Sequence, residues 1–264
     1  MYMMATFMLS ASLYFLLKIF TLDEQVSFKN SNVKTQNSNL QLKTKSCKYV
    51  ILFNLFIGLS VVTFYGSVFL IAGFLIYFMF KKHYKYFFVS CLVLSAVYLV
   101  ISPLLLKQLA NSKEALKTVT NWSLVLGKAN LKNMVLIHIK FAFGRISFYP
   151  KAIYYLVAGV WTGVVFYFVV RGGFKNRLLI FLFIVSLFLG FVFSFISPLL
   201  QYFRFLYLLP LMCLLISFVS SKNWQRWLLI AGFLTLSLIY LFNPKFHRED
   251  WKSLALSLDR KSVV

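Results

Sequence analysis

Apolar residues in this chain come in long unbroken runs, separated by short polar clusters. The runs occupy residues 3–20, 49–80, 86–106, 152–170, 178–196, 205–220 and 227–242. Most approach the roughly 20 residues that an α-helix needs to cross a hydrocarbon core of about 30 Å. Backbone amides inside hydrocarbon must be satisfied internally, so only helices or closed barrels can cross it. Continuous apolar runs lack the alternation of a barrel strand. The pattern therefore predicts an all-α polytopic membrane protein. The 49–80 run would be about 48 Å long as a single helix, too long for the core. Thr63-Phe64-Tyr65-Gly66-Ser67 lies in its middle. Two helices, 49–63 and 66–80, with a turn near Gly66 are expected, one long tilted helix being the alternative. The expected total is about eight transmembrane helices.

The segments between the runs differ in kind. No basic n-region precedes 3–20 and no small-residue cleavage site follows it, so it reads as a span and not as a signal peptide. Residues 21–48 are rich in Asn, Gln, Ser and Lys and read as a loop with little need of fixed structure. The 86–106 run carries Ser102-Pro103, a normal helix stop. Residues 107–151 form the longest non-spanning segment. Within it MVLIHIKFAF, 134–143, is too short to span and reads as an interfacial or re-entrant piece. Asn121-Trp122-Ser123 fits a glycosylation sequon, a tripeptide common by chance. The transmembrane domain is expected over 1–242. Residues 243–264 are expected to begin an extracytoplasmic soluble region, with an amphipathic stretch around Trp251, Leu254, Ala255 and Leu258.

Charge gives the chain an orientation. The formal net charge is +22, from 28 Lys and Arg against 6 Asp and Glu. In a soluble domain this would point to nucleic acid. Here the basic residues lie between spans, which makes anionic membrane lipid the expected partner and not nucleic acid. The short basic loops 81–85, 171–177 and 222–226 alternate onto one side, which the positive-inside rule makes cytoplasmic. Both termini, the 107–151 segment and the 197–210 corner then face outward from the plasma membrane. The 28 cations divide evenly between the two sides, so the orientation rests on the short loops alone.

Several chemistries are disfavoured. All six acidic residues lie outside the runs, which argues against a proton relay through the membrane. Cys47, Cys91, Cys213, His83, His138 and His247 show no disulfide or metal spacing. There is no phosphate-cradling glycine loop and no nucleophile elbow, and no cofactor is identifiable. What stands out is Arg204, in the corner SPLLQYFRFLYLLP between two apolar runs. An arginine beside hydrocarbon is costly unless it reaches headgroups, water or an anion. It reads either as a snorkelling anchor or as a ligand for a lipid phosphate, to which its planar fork is suited. In the second reading Lys140 and Arg145, from the 107–151 segment, close over the same anion.

Four stretches resemble the GT-C membrane glycosyltransferases of the protein-mannosyltransferase-like branch, which includes the aminoarabinose transferases. The opening MYMMATFMLSASLYFLLK resembles the family's helix running from an "R-M-Y" phrase to "L-Y-F-L-L". TFYG at the 49–80 turn resembles "Y-T-H-Y-F-G", with Phe64 in place of the histidine. RFLYLLP resembles the "R-Y-L-x-x-P" corner. NPKFHREDWKSLA resembles the "REDWR" phrase leaving the last span. The resemblance implies transfer of a sugar from a polyprenyl-phosphate carrier to an extracytoplasmic protein, lipid or glycan. It also implies a carboxylate base in a first outer loop, which in the family precedes the segment matched by Met1. On this reading the chain is an internal piece of a longer transferase. It carries no catalytic residue of its own and turns nothing over alone. The alternative is a non-enzymatic lipid-binding scaffold or a flippase for lipid-linked sugars.

Overall fold

The computed structural model describes residues 1–31, 36–118, 127–219, 222–243 and 246, and side chains outside 24–43, 113 and 115–117. In chain order the helices are α1 (Tyr2–Ser31), α2 (Gln36–Thr63), α3 (Val68–Phe80), α4 (Tyr84–Thr118), α5 (Leu131–Phe143), α6 (Lys151–Lys175), α7 (Arg177–Phe193), α8 (Leu209–Ser217) and α9 (Asn223–Phe242). Short 3-10 turns cover Tyr65–Ser67 and Tyr202–Leu208. Among the described residues there is no strand. Five helices contain stretches long and apolar enough to cross a membrane: Tyr2–Asp23, Thr44–Thr63, Tyr84–Ser112, Lys151–Lys175 and Asn223–Phe242. Three shorter apolar helical segments, Tyr65–Phe80, Arg177–Phe193 and Tyr202–Ser217, pack among them.

α1 and α2 pair as an antiparallel hairpin. Leu9, Leu13, Leu16 and Ile19 recur at helical spacing and are buried against Phe53, Ile57 and Val61. Ring contacts fix the register: Phe15 lies 6.1 Å from Tyr49 and Tyr2 lies 5.0 Å from Phe64. Ser12 and Ser60 are fully buried on this hairpin, and each returns its hydroxyl to its own helix, at Leu9 O and Ile57 O. The polar stretch 21–48 departs from the expected loop. α1 continues to Ser31 and α2 already runs from Gln36. The physical reason lies in the sequence: 21–31 and 36–48 hold neither Gly nor Pro, so each helix runs on past its apolar part.

The expected break in 49–80 is present. α2 ends at Thr63, Phe64 is extended, and the 3-10 turn follows. Gly66 is required there, because a Cβ would run into the Phe64 ring. α3 then returns antiparallel to α7, with Phe69 5.9 Å from Phe193 and Phe80 5.7 Å from Phe181. Pro103 does not stop its helix: α4 passes through it to Thr118. Proline removes the hydrogen bond to the carbonyl four residues back, that of Leu99. The Ser102 hydroxyl donates to that carbonyl at 2.9 Å, so no backbone group is stranded.

α5 is the short helix expected near 134–143. Asn130 caps it by accepting from Lys132 N at 3.1 Å, and Gly144 ends it with φ 74. It packs on α6 and on the 202–208 turn, with Trp161 Nε1 donating to Ala142 O at 3.0 Å. The turn expected over 171–177 contracts to Asn176, which caps α7 by accepting from Leu179 N. α6 stays helical through Gly172, where any side chain would strike the Leu215 carbonyl.

These pairings sort the chain ends onto two faces. One face carries Tyr2, the 64–67 turn, Gly127 and the 197–208 corner. The other carries Asp23, Ser46, the α3–α4 turn, the start of α7 and the end of α8. α4 and α9 turn bare apolar surface outward: Leu92 is 71% exposed, Val100 80% and Phe242 77%. In water such surface would be an aggregation hazard. Against acyl chains it is the ordinary outside of a membrane protein.

Candidate functional site

The 197–210 corner is built by backbone bonds before any side chain acts. Gly127 O accepts from Leu200 N at 2.9 Å, stapling the chain ahead of α5 to the corner. Gly127 has φ 95, and a Cβ there would lie 2.5 Å from the Leu200 carbonyl oxygen, so only glycine fits. The 3-10 turn then buries Phe205, Tyr207 and Leu208 inward and leaves Arg204 half-buried at the rim.

Arg204 is held from several sides. Its Nη1 donates to Pro198 O at 2.9 Å, its guanidinium lies 5.9 Å from the Phe203 ring centroid, and Tyr2 lies beside it. Tyr2 is itself set between two rings, 5.0 Å from Phe64 and 5.5 Å from Phe203, both edge-on. The opening of α1, the turn after α2 and the corner thus meet in one aromatic and cationic cluster.

Lys140 and Arg145 form a second group at the C-terminal end of α5. Lys140 is half-buried, and its ammonium is pushed below the ordinary lysine range, first by burial and then by Arg145 nearby. α5 packs on the 202–208 turn, so both groups belong to adjoining elements. The electrostatic contacts nevertheless run Arg204 to Tyr2 and Lys140 to Arg145. Among the described residues no carboxylate pairs with any of these cations. Asp250, which could fold back on Arg204, lies outside the described residues, as do the sequon at 121–123 and most of NPKFHREDWKSLA. His138 lies on the same helix with Nδ1 2.9 Å from Met134 O, and burial holds it below the ordinary histidine range.

Tyr2 is the member of this cluster that sequence reasoning did not single out. A tyrosine opening an apolar run is ordinary interfacial furniture. Only the folded hairpin brings it to Arg204.

The opposite face has its own polar cluster. Tyr86 OH donates to Asp23 Oδ1 at 3.1 Å and lies 3.2 Å from Ser46 Oγ. His83 Nδ1 lies 3.6 Å from Asp23 Oδ2, and its ring stacks on Tyr86 at 5.7 Å. Lys82, at φ 59, makes the tight turn that delivers His83 there. Among the described residues no three His, Cys, Asp or Glu side chains lie close enough together to hold a metal ion.

Comparison with protein-family models, curated proteins and solved structures finds no match. The fold itself defines the class: a multi-pass helical membrane protein with, among the described residues, a cationic cluster that no carboxylate pairs on one face and a cluster around Asp23 on the other.

Proposed function

We propose that this chain is the membrane-embedded part of a glycosyltransferase of GT-C type. It holds a polyprenyl-phosphate sugar carrier by its phosphate at the Arg204 face, for transfer to an extracytoplasmic acceptor. Arg204, Arg145 and Lys140 are the phosphate-binding cations. The eight apolar helical segments all cross, with 81–85, 171–177 and 222–226 cytoplasmic and the Arg204 face outward.

One observation carries the reading. Three of the four stretches that resemble the family, at Tyr2, at Phe64 to Gly66 and at Arg204, are far apart in sequence yet touch in one cluster. Stretches that merely filled a bilayer would have no reason to converge. Among the described residues the cluster presents donors without a carboxylate, as a phosphate site requires, beside aromatic rings that an isoprenoid chain can lie against.

Binding of a short polyprenyl phosphate to the full chain in nanodiscs tests the reading. The matching polyprenol and inorganic phosphate serve as controls. Tight binding of the phosphate-bearing lipid, well above both controls, is expected. Equal binding of the polyprenol would remove the phosphate site. Cysteines placed at Lys82, Asn176 and Asn223 of a cysteine-free chain test the orientation. They should resist an impermeant thiol reagent in intact cells while one at Asn130 labels, and the reverse pattern would invert the faces.

A further inference from the structure

We propose that Tyr2 is a direct ligand of the anion, paired with Arg204 as one donor unit for a phosphate group carried on an apolar chain. The proposal deepens the reading above and rests on it. Four observations carry it.

The Tyr2 ring is fixed by Phe64 and Phe203, which belong to two other segments, so its hydroxyl has a defined position and not a snorkelling one. Gly66 makes this possible, since only a residue without Cβ leaves room for the Phe64 ring that supports Tyr2. Phe203 joins the two groups, its ring lying 5.5 Å from Tyr2 and 5.9 Å from the Arg204 guanidinium. A phenol in that place has its own hydrogen to donate. Arg204 in turn spends one donor on Pro198 O, out of the five of a guanidinium.

The bond to Pro198 O fixes the guanidinium beside the phenol, and donors remain on both groups. Both side chains are partly exposed, so a ligand can reach them. A neutral partner would leave the arginine charge uncompensated, because among the described residues no carboxylate answers it. A carboxylate ligand would satisfy the fork alone. A phosphate offers an additional oxygen, which suits a third donor beside the fork. The rings of Tyr2, Phe64 and Phe203 form an apolar wall next to these donors. The ligand class is therefore a phosphate ester on a hydrocarbon chain, and not free phosphate.

Tyr2→Phe keeps the ring and its packing and removes only the hydroxyl. For the full chain in nanodiscs, a short polyprenyl phosphate should bind about tenfold more weakly to Tyr2→Phe than to the parent. Binding of the matching polyprenol should not change. Inorganic phosphate should compete poorly in both chains. The thermal midpoint of Tyr2→Phe should stay close to the parent's.

If Tyr2→Phe binds as the parent does while Arg204→Ala loses binding, the proposal for Tyr2 is overturned and the phosphate site stands. If neither substitution weakens binding, the phosphate reading itself falls. An equal loss for the polyprenol would show that Tyr2 shapes the apolar wall, and would also overturn its role as a ligand.

Discussion

The two polar clusters of this molecule look alike in composition and differ in closure. On one face Asp23 accepts from Tyr86 and faces His83, and Ser46 completes the group. Asp23 has two partners there, and the four residues tie α1, α2, the α3–α4 turn and α4 together. On the other face Arg204 donates to the Pro198 carbonyl and lies beside Tyr2, and Lys140 sits beside another cation. No carboxylate closes that set among the described residues. A closed cluster stabilises a fold. A cluster with surplus donors has room for a ligand. This difference, more than the raw charge of +22, separates the candidate site from structural polarity.

Paired substitutions should pull the two clusters apart. Arg204→Ala removes the fork from the open cluster. Binding of a short polyprenyl phosphate should fall roughly ten- to a hundredfold, since a hydrogen bond to a charged group contributes about 1.5–3 kcal/mol. Arg204→Lys should recover little of it, because lysine snorkels as well as arginine but lacks the planar fork. Full recovery by Lys would make Arg204 an anchor.

Asp23→Ala acts on the closed cluster and should do the opposite. It leaves the Tyr86 hydroxyl with Ser46 alone and takes the carboxylate from the His83 ring. The expected loss is about 1–2 kcal/mol of stability for this partly exposed group, seen as a thermal midpoint lower by a few degrees. Carrier binding should stay at the parental level. A binding defect in Asp23→Ala with an unchanged midpoint would erase the distinction.

The smallest effect concerns pH. Burial and Arg145 hold the Lys140 ammonium below the ordinary lysine range. The free protein therefore loses that charge earlier than usual as pH rises. A bound phosphate favours the protonated form and pulls it back up. Lys140's contribution is then complete at lower pH and lost as pH rises through the depressed value. Above about pH 7.5 the second phosphate ionisation, near pH 6, no longer interferes. There, affinity of the parent should decline a few-fold, and Lys140→Arg should flatten the profile. A parent profile as flat as that of Lys140→Arg would take Lys140 out of the site.

Much of the fold could be read from the chain, and the misreadings have physical causes. The break at Phe64 to Gly66 was legible because a helix over 49–80 would overrun the bilayer. Pro103 misled because a neighbouring hydroxyl, that of Ser102, satisfies the Leu99 carbonyl and lets α4 continue. The 21–48 segment misled because polar composition is a weaker signal than the missing Gly and Pro. Arg204 was legible as a charge beside hydrocarbon. Its partner Tyr2 was not, because 202 positions separate them and nothing local marks a pair formed only by folding. Arg204, Arg145 and Lys140, expected at one site, lie in two adjoining groups, on the corner and at the end of α5.

The central claim is that the open cluster, not the closed one, receives a lipid phosphate. A short polyprenyl phosphate carrying a photoreactive group next to the phosphate tests it most directly. It would be crosslinked to the full chain in nanodiscs and mapped by peptide mass spectrometry. The account predicts adducts on the peptides holding Tyr2, Tyr202 to Arg204 and the end of α5, suppressed by excess unlabelled polyprenyl phosphate but not by polyprenol. Adducts confined to the peptides around Asp23, Ser46 and His83, with the same competition, would contradict it.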